Sequence, residues 1–238
     1  MSDGSDALSA MIDTENLTKR FDDFTAVRGL NLHVRRGELL ALLGPNGAGK
    51  TTTVRMLAAI LKPTEGRARV AGYDVVQNAQ EVRHVVGLLT EFHGLYLRMR
   101  ATAYLDFFGR LQGLSSGYRR ERIEMLLRRF ELWNDRDRRL GEYSKGMRQK
   151  LALIRAMLHD PLVLFLDEPT SAMDPHSAKL VRDSIAELKR QGHTIVMCTH
   201  NLPEAELLAD RIAIIRHGEI VAQDTPRGLT HRLLGEPL

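Results

Sequence analysis

The chain carries one cysteine, Cys198, in 238 residues. A lone thiol excludes an intramolecular disulfide and any cysteine-cluster metal site, so nothing points to an oxidising compartment. Long apolar runs are missing as well. The runs present, such as Leu39 to Leu43 and Leu162 to Leu166, fall far short of the roughly 20 residues that a membrane-spanning helix needs. The opening MSDGSDALSAM holds Asp3 and Asp6 and no basic residue, unlike the basic start of a secretory signal. Aromatic residues are scarce, at 5%. The hydrophobic share of 43% is nevertheless ordinary for a globular protein and too high for a disordered one. The expectation is a soluble, intracellular globular protein, with one large domain or one domain and a smaller lobe.

A net charge of +4 suits nucleic acid or an anionic membrane surface, but the surplus is concentrated. Tyr118 to Arg139 holds eight arginines against Glu121, Glu124, Glu131, Asp135 and Asp137. Within it Ile123, Leu126, Leu127 and Phe130 recur at i, i+3, i+4 and i+7, the apolar stripe of one helix. The arginines then read as a solvated face laced with ion pairs.

Residues 1–10 are small and polar and read as a disordered N-terminus. From Met11 to about Val34 the alternation of Phe24, Ala26, Leu30, Leu32 and Val34 predicts half-buried strands. Leu39 to Leu43 reads as a buried strand running into a glycine-rich turn, followed by a helix over Lys50 to Leu61 that stops before Pro63. Arg67 to Val76 and Val85 to Leu89 read as strands. Between about 92 and 160 helical periodicity replaces the strand signals. After Pro161 strands (Leu162–Leu166, Thr194–Cys198, Ile212–Ile215, Ile220–Ala222) alternate with helices (Ser177–Lys189, Pro203–Ala209). Such alternation predicts an α/β fold with a mainly parallel sheet. The layout is an α/β core with a helical insertion at about 92–160, spanning 11–228 and followed by a short tail, 229–238.

Gly44-Pro45-Asn46-Gly47-Ala48-Gly49-Lys50-Thr51 matches G-x-x-x-x-G-K-[ST]. Glycines let backbone N–H groups turn toward phosphate oxygens, the following helix N-terminus adds a favourable dipole, Lys50 reaches the outer phosphates and Thr51 offers a hydroxyl to Mg²⁺. Thr52 follows in the same turn. The strand Leu162 to Leu166 ends in Asp167-Glu168, at the sheet edge where open α/β proteins bind ligands. One acid suits Mg²⁺ and the next suits a water activated for attack on phosphorus.

With four further segments, the chain from about residue 11 to 228 resembles the ATP-binding subunit of an ABC transporter. Tyr143-Ser144-Lys145-Gly146-Met147-Arg148-Gln149-Lys150 resembles the family signature. Ser171-Ala172-Met173-Asp174, after Glu168-Pro169-Thr170, resembles the D-loop. His200 occupies the switch-histidine position, and Phe21 resembles the aromatic on which adenine stacks. The resemblance implies a P-loop NTPase core with a mainly parallel sheet, an N-terminal antiparallel β subdomain and a helical insertion subdomain, and it implies that two such subunits sandwich two ATP molecules with Mg²⁺. Ser144 and the Gly146 N–H would meet the γ-phosphate on the partner's P-loop, and Asp174 would sit at the subunit interface. Glu168 would be the general base, and His200 would hold the γ-phosphate.

The chain departs from the family pattern at Lys145 and Met147, which replace a glycine and a glutamine, at Ala172 and Met173 in the D-loop, and at Glu91. Glu91 stands where a glutamine usually faces Mg²⁺ and the membrane partner. These substitutions resemble the bacterial exporter branch that includes drug, antibiotic, sodium and polysaccharide exporters. The resemblance therefore implies an ATPase at the cytoplasmic face of the plasma membrane. It would be docked on a separate transmembrane permease through a face with Glu91, Tyr96 and Tyr104, with no nucleic acid among its partners. A soluble ATPase of the same family acting on ribosomes or DNA is the alternative, and the basic charge favours it slightly. A P-loop GTPase would carry an Asn-Lys-x-Asp guanine motif, which the sequence lacks.

Overall fold

The computed structural model describes residues 10–90, 94–171 and 173–229. The chain opens with β1 (Ala10–Phe21), β2 (Phe24–Leu30), β3 (His33–Arg35), β4 (Leu39–Leu43) and α1 (Lys50–Leu57). It continues through β5 (Glu65–Val70), β6 (Tyr73–Asp74), α2 (Ala79–Val85) and β7 (Val86–Leu89), then three helices, α3 (Ala101–Leu111), α4 (Ser116–Arg129) and α5 (Lys145–Met157). The last part alternates: β8 (Val163–Asp167), α6 (Pro175–Arg190), β9 (Thr194–Thr199), α7 (Leu202–Leu208), β10 (Arg211–Arg216) and β11 (Glu219–Asp224).

Two sheets result. The N-terminal one is antiparallel, in the order β2-β1-β5-β6 with β3 also on β1. The larger one runs β11-β10-β4-β9-β8-β7, and every pairing from β10 to β7 is parallel. Side chains alternate between its two faces. Leu39, Ala41, Leu164, Leu166, Ile195 and Met197 join one core, with α5 and α6. Leu40, Leu42, Val163, Phe165, Val196 and Cys198 join the other, with α1 and the antiparallel sheet. Both faces are covered, which is why these strands read as unbroken apolar runs rather than as alternating ones.

The α/β fold, mainly parallel sheet, antiparallel N-terminal sheet and helical insertion agree with the sequence reading. Local boundaries differ for identifiable reasons. The helix predicted to reach Leu61 stops at Leu57. Ala59 takes φ 54°, its N–H bonds Met56 O, and Ile60 N–H bonds Arg55 O. This is the closure by which helices end at a left-handed residue, usually glycine. With alanine there, no sequence signal marks the stop. The strand predicted over Arg67 to Val76 divides at Ala71 and Gly72, both at positive φ, into β5 and β6. The seven-residue α2 is an addition, its valines reading as strand by themselves.

In the helical insertion, Ile123, Leu126, Leu127 and Phe130 are buried as the periodicity requires. The arginines around them hold the insertion together. Arg119 is buried against Asp106 of α3 and donates to Leu114 O. Arg122 joins Asp160 and Met157 O, Arg129 reaches Ser184 of α6, and Arg128 and Arg136 both cover the Trp133 ring. Tyr104 corrects an expectation. It is fully buried, its hydroxyl accepts a hydrogen bond from Arg155 at 2.7 Å, and burial raises its pKa, so it is core and no part of a docking face. Tyr96 beside it is 52% exposed.

Candidate nucleotide site

Strands β4, β9 and β8 are neighbours, and their C-terminal ends are level. Leu43 pairs with Thr199, and Cys198 pairs with Asp167. This register brings the turn after β4, His200 after β9 and Glu168 after β8 to one edge of the sheet. Three separate stretches of sequence thereby form one site.

A cleft of about 260 Å³ opens there, lined by Asn46, Gly47, Gly49, Lys50, Thr51, Thr52, Asp167 and Glu168, with Phe24 and Ala26 on the opposite wall. The turn is built for close approach. A Cβ on Gly44 would lie 2.3 Å from Ile215 O, and one on Gly49, at φ 106°, 2.6 Å from Ala26 O. Gly47, at φ 79°, has open space around it. Ala48 is buried, and its carbonyl accepts from Gly218 N–H, tying the turn to the β10–β11 hairpin. Lys50 is only 6% exposed, and its ammonium donates to Gly44 O at 2.6 Å and Pro45 O at 2.9 Å. The lysine charge is therefore held against carbonyl oxygens at the floor of the cleft. Thr51 Oγ1 donates to Asp167 Oδ2 at 2.6 Å, and Asp167 is 2% exposed. A hydroxyl and a buried carboxylate in contact are hard oxygen donors of the type Mg²⁺ accepts, so these two residues fit that ion.

Glu168 takes φ 49°, a left-handed conformation that costs a residue with a Cβ on the order of 1–3 kcal/mol. Its surroundings fix it there. Its N–H donates to Cys198 O at 2.9 Å, its carbonyl accepts from Ser171 N–H at 3.2 Å, and its Oε1 lies 2.7 Å from His200 Nδ1. His200 thus touches the carboxylate directly, a contact that motif spacing does not reveal. Cys198, beneath them, is wholly buried and its thiol pKa is driven well up by burial and then by the Asp167 carboxylate, so it acts as a small neutral hydrophobe.

Other expected site residues lie elsewhere. Phe21 is 44% exposed, under the Lys19 ammonium, and does not line the cleft. Phe24, its cross-strand partner in the β1–β2 hairpin, does. The sequence reading missed Phe24 because strand alternation had placed it among packing residues. Ser144 N-caps α5 by accepting from Met147 N–H at 3.2 Å, with Gly146 in the same first turn. Asp174 N-caps α6, and the Ser177 backbone N–H holds its carboxyl below the usual range. None of these three lines the cleft. Glu91 and Ala172 lie outside the described residues. Within one chain, Lys50, Thr51, Asp167 and Glu168 line one cleft with His200 against Glu168, while the N-termini of α5 and α6 lie outside its lining.

Residues 27–171 match the family model described as ABC transporter. The ABC transporter ATP-binding protein NatA of Bacillus subtilis (strain 168) is 41% identical over 216 residues, covering 89% of this chain and 88% of that protein. The Nod factor export ATP-binding protein I of Burkholderia lata is 39% identical over 226 residues, covering 95% of this chain and 74% of the relative. A solved ATP-binding subunit of an ABC transporter superposes with a TM-score of 0.87 at 28% identity, over 94% of this chain and 93% of that one.

Proposed function

Because the chain belongs to the ABC transporter family, as one of its ATP-hydrolysing subunits, we propose that it drives export through a separate membrane permease by closing a two-subunit sandwich on two ATP molecules. The observation that carries this reading is the divided site. Lys50, Thr51, Asp167, Glu168 and His200 share one cleft edge, whereas Ser144, Gly146 and Asp174 are outside that cleft. A helix N-terminus attracts anions, so a second copy, turned head to tail, would bring its Ser144 and Gly146 to the open side of the phosphates.

Within the cleft, the backbone of Gly44 to Gly49 and the Lys50 ammonium hold the phosphate chain. Thr51 and Asp167 would hold Mg²⁺, which would supply charge neutralisation at the outer phosphates. Glu168 takes a proton from water, the water oxygen bonds the γ-phosphorus, and the bond from that phosphorus to the bridging oxygen breaks, leaving ADP and phosphate. His200 Nδ1–H steadies the Glu168 carboxylate, and with both ring nitrogens protonated Nε2–H donates to the γ-phosphate. Phe24 and Phe21, adjacent on the β1–β2 hairpin, supply the aromatic surface for adenine.

No helix among the described residues is long and apolar enough to cross a membrane, in keeping with a subunit that sits peripherally on the cytoplasmic face. The groove lined by Ile60, Arg83, Leu88, Phe108 and Arg155, with Tyr96 on the aromatic cluster beside it, is the proposed permease contact. The export direction is supported by the Burkholderia lata relative, whose name describes export of Nod factor. Glu168→Gln keeps an oxygen for His200 and the same volume, but removes the base. Phosphate release is expected to fall by about 10²–10⁴-fold, with nucleotide affinity retained and an ATP-dependent dimer accumulating on a sizing column. Substantial residual turnover refutes the base assignment, and a persistent monomer refutes the sandwich.

A further inference from the structure

Glu168 is held in a costly conformation, and part of what holds it comes from an unexpected element. Gln149, on α5, is only 5% exposed. Its Nε2 donates to Glu168 O at 3.0 Å and to Pro169 O at 3.2 Å. Both partners are carbonyls, so the side-chain orientation is determined: the amide nitrogen must face them, since its oxygen has no hydrogen to offer. One buried amide thus supplies both its protons to the peptide units that fix the backbone of the general base.

The same loop is gripped from the other side. Thr170 Oγ1 donates to Glu204 Oε1 at 2.6 Å, Thr199 Oγ1 reaches Glu204 Oε2 at 3.3 Å, and Glu204 is buried at the start of α7. That anchor belongs to the parallel-sheet core, because α7 packs on β4 and β9. Gln149 lies on α5, which links the sheet to the insertion. Its helix packs on β7 but also on α3 and α4, the rest of the helical insertion. The start of that helix carries Ser144 and Gly146, about a turn and a half from Gln149.

We propose that Gln149 is a positioning residue through which α5 sets the Glu168 carboxylate, so that displacement of the helix tip that meets the partner's ATP alters the base in its own subunit. The chain of contact is short and joined by hydrogen bonds at two steps: helix tip, Gln149 amide, Glu168 and Pro169 carbonyls, Glu168 side chain, His200. Glu204 holds the far end of the loop from α7, whereas Gln149 grips it from a helix that also contacts the insertion. The link to the partner's ATP depends on the two-subunit reading above, whereas the positioning of Glu168 does not.

The test is Gln149→Met, which keeps the length and loses both donors, beside Gln149→His, which keeps one N–H. For Gln149→Met, kcat is expected to fall about 10- to 100-fold, the order produced by a misplacement of about 1 Å. The affinity for a fluorescent ATP analogue should stay within about twofold, and Gln149→His should fall between Met and the parent chain. Hydrogen exchange provides a readout independent of turnover: the amides of Glu168 and Ser171 should open in Gln149→Met while those of β8 and β9 keep their protection. Unchanged kcat, or unchanged exchange at 168 and 171, overturns the proposal. A parallel fall in kcat, nucleotide affinity and melting temperature overturns it as well, since Gln149 would then only hold the fold together. If Gln149→Met behaves as expected but no ATP-dependent dimer of Glu168→Gln forms, the positioning role stands and the two-subunit reading fails.

Discussion

The two positive-φ glycines of the phosphate turn differ in a way that makes a quantitative test. Gly47, at φ 79°, has nothing within 4 Å of the position a Cβ would take. Gly47→Ala therefore carries only the left-handed conformational cost, about 1–2 kcal/mol. For a chain of this size, 1 kcal/mol corresponds to about 2–4 °C of melting temperature. Gly49 caps α1 at φ 106°, ψ 0°, well outside the left-handed well, and its Cβ would lie 2.6 Å from Ala26 O and 3.4 Å from the Val27 side chain. The obstacle at 2.6 Å is strand backbone, which cannot swing aside as a side chain can. Conformational strain and overlap together should cost about 3 kcal/mol or more, roughly 6–12 °C. The strain also acts on Lys50 and Thr51, the next two residues. Gly49→Ala should thus weaken binding of a fluorescent ATP analogue by at least about tenfold, while Gly47→Ala changes it much less. Thermal melts and nucleotide titrations on the two variants decide the matter. If Gly49→Ala melts no lower than Gly47→Ala and binds nucleotide as tightly as the parent, the close approach between the phosphate turn and β2 is not what the glycine serves.

Two further outcomes follow from buried titratable groups. His159 donates from Nε2 to Val86 O at 3.0 Å and is held below the ordinary histidine pKa of 6.5, chiefly by burial. A depressed folded-state pKa means the unfolded chain takes up the proton first, so stability present above pH 6.5 is lost as pH falls below it. Urea melts across that window should show this loss, and His159→Gln, which keeps a donor for Val86 O, should show less of it; an identical slope in both chains refutes the assignment. Cys198, fully buried with its pKa raised, should resist a thiol reagent in the native protein and react on unfolding. Labelling at the rate of a free thiol would mean the β4–β9–β8 edge opens readily.

The short apolar runs at Leu39–Leu43 and Leu162–Leu166 revealed buried parallel strands because burial on both faces demands apolar side chains, although Leu162 itself precedes β8 and is exposed. The stretch from Gly44 to Thr51 and the acids Asp167 and Glu168 stood out in the sequence by residue type and spacing, and the structure brings them to one cleft. Ile123 to Phe130 gave the axis of α4 through its 3.6-residue period. Where the local signal is weak, tertiary structure decided. Ala59 ends α1 in a conformation that glycine would have announced, and the valines of α2 suit strand and helix alike. Phe24 rather than Phe21 lines the cleft because β2 comes close to the phosphate turn at Ala26, and alternation along one strand carries no information about that approach. Tyr104 sits beside Tyr96 in the aromatic cluster, but packing around Arg155 buries only one of them fully. The grip of Gln149 on Glu168, and the contact of His200 with the same carboxylate, join residues far apart in the chain. The sequence alone determined which chemical groups were available and on which elements. Which of them touch was decided by strand order and register, because hydrogen bonds act over about 3 Å and only the assembled sheet brings those groups so close.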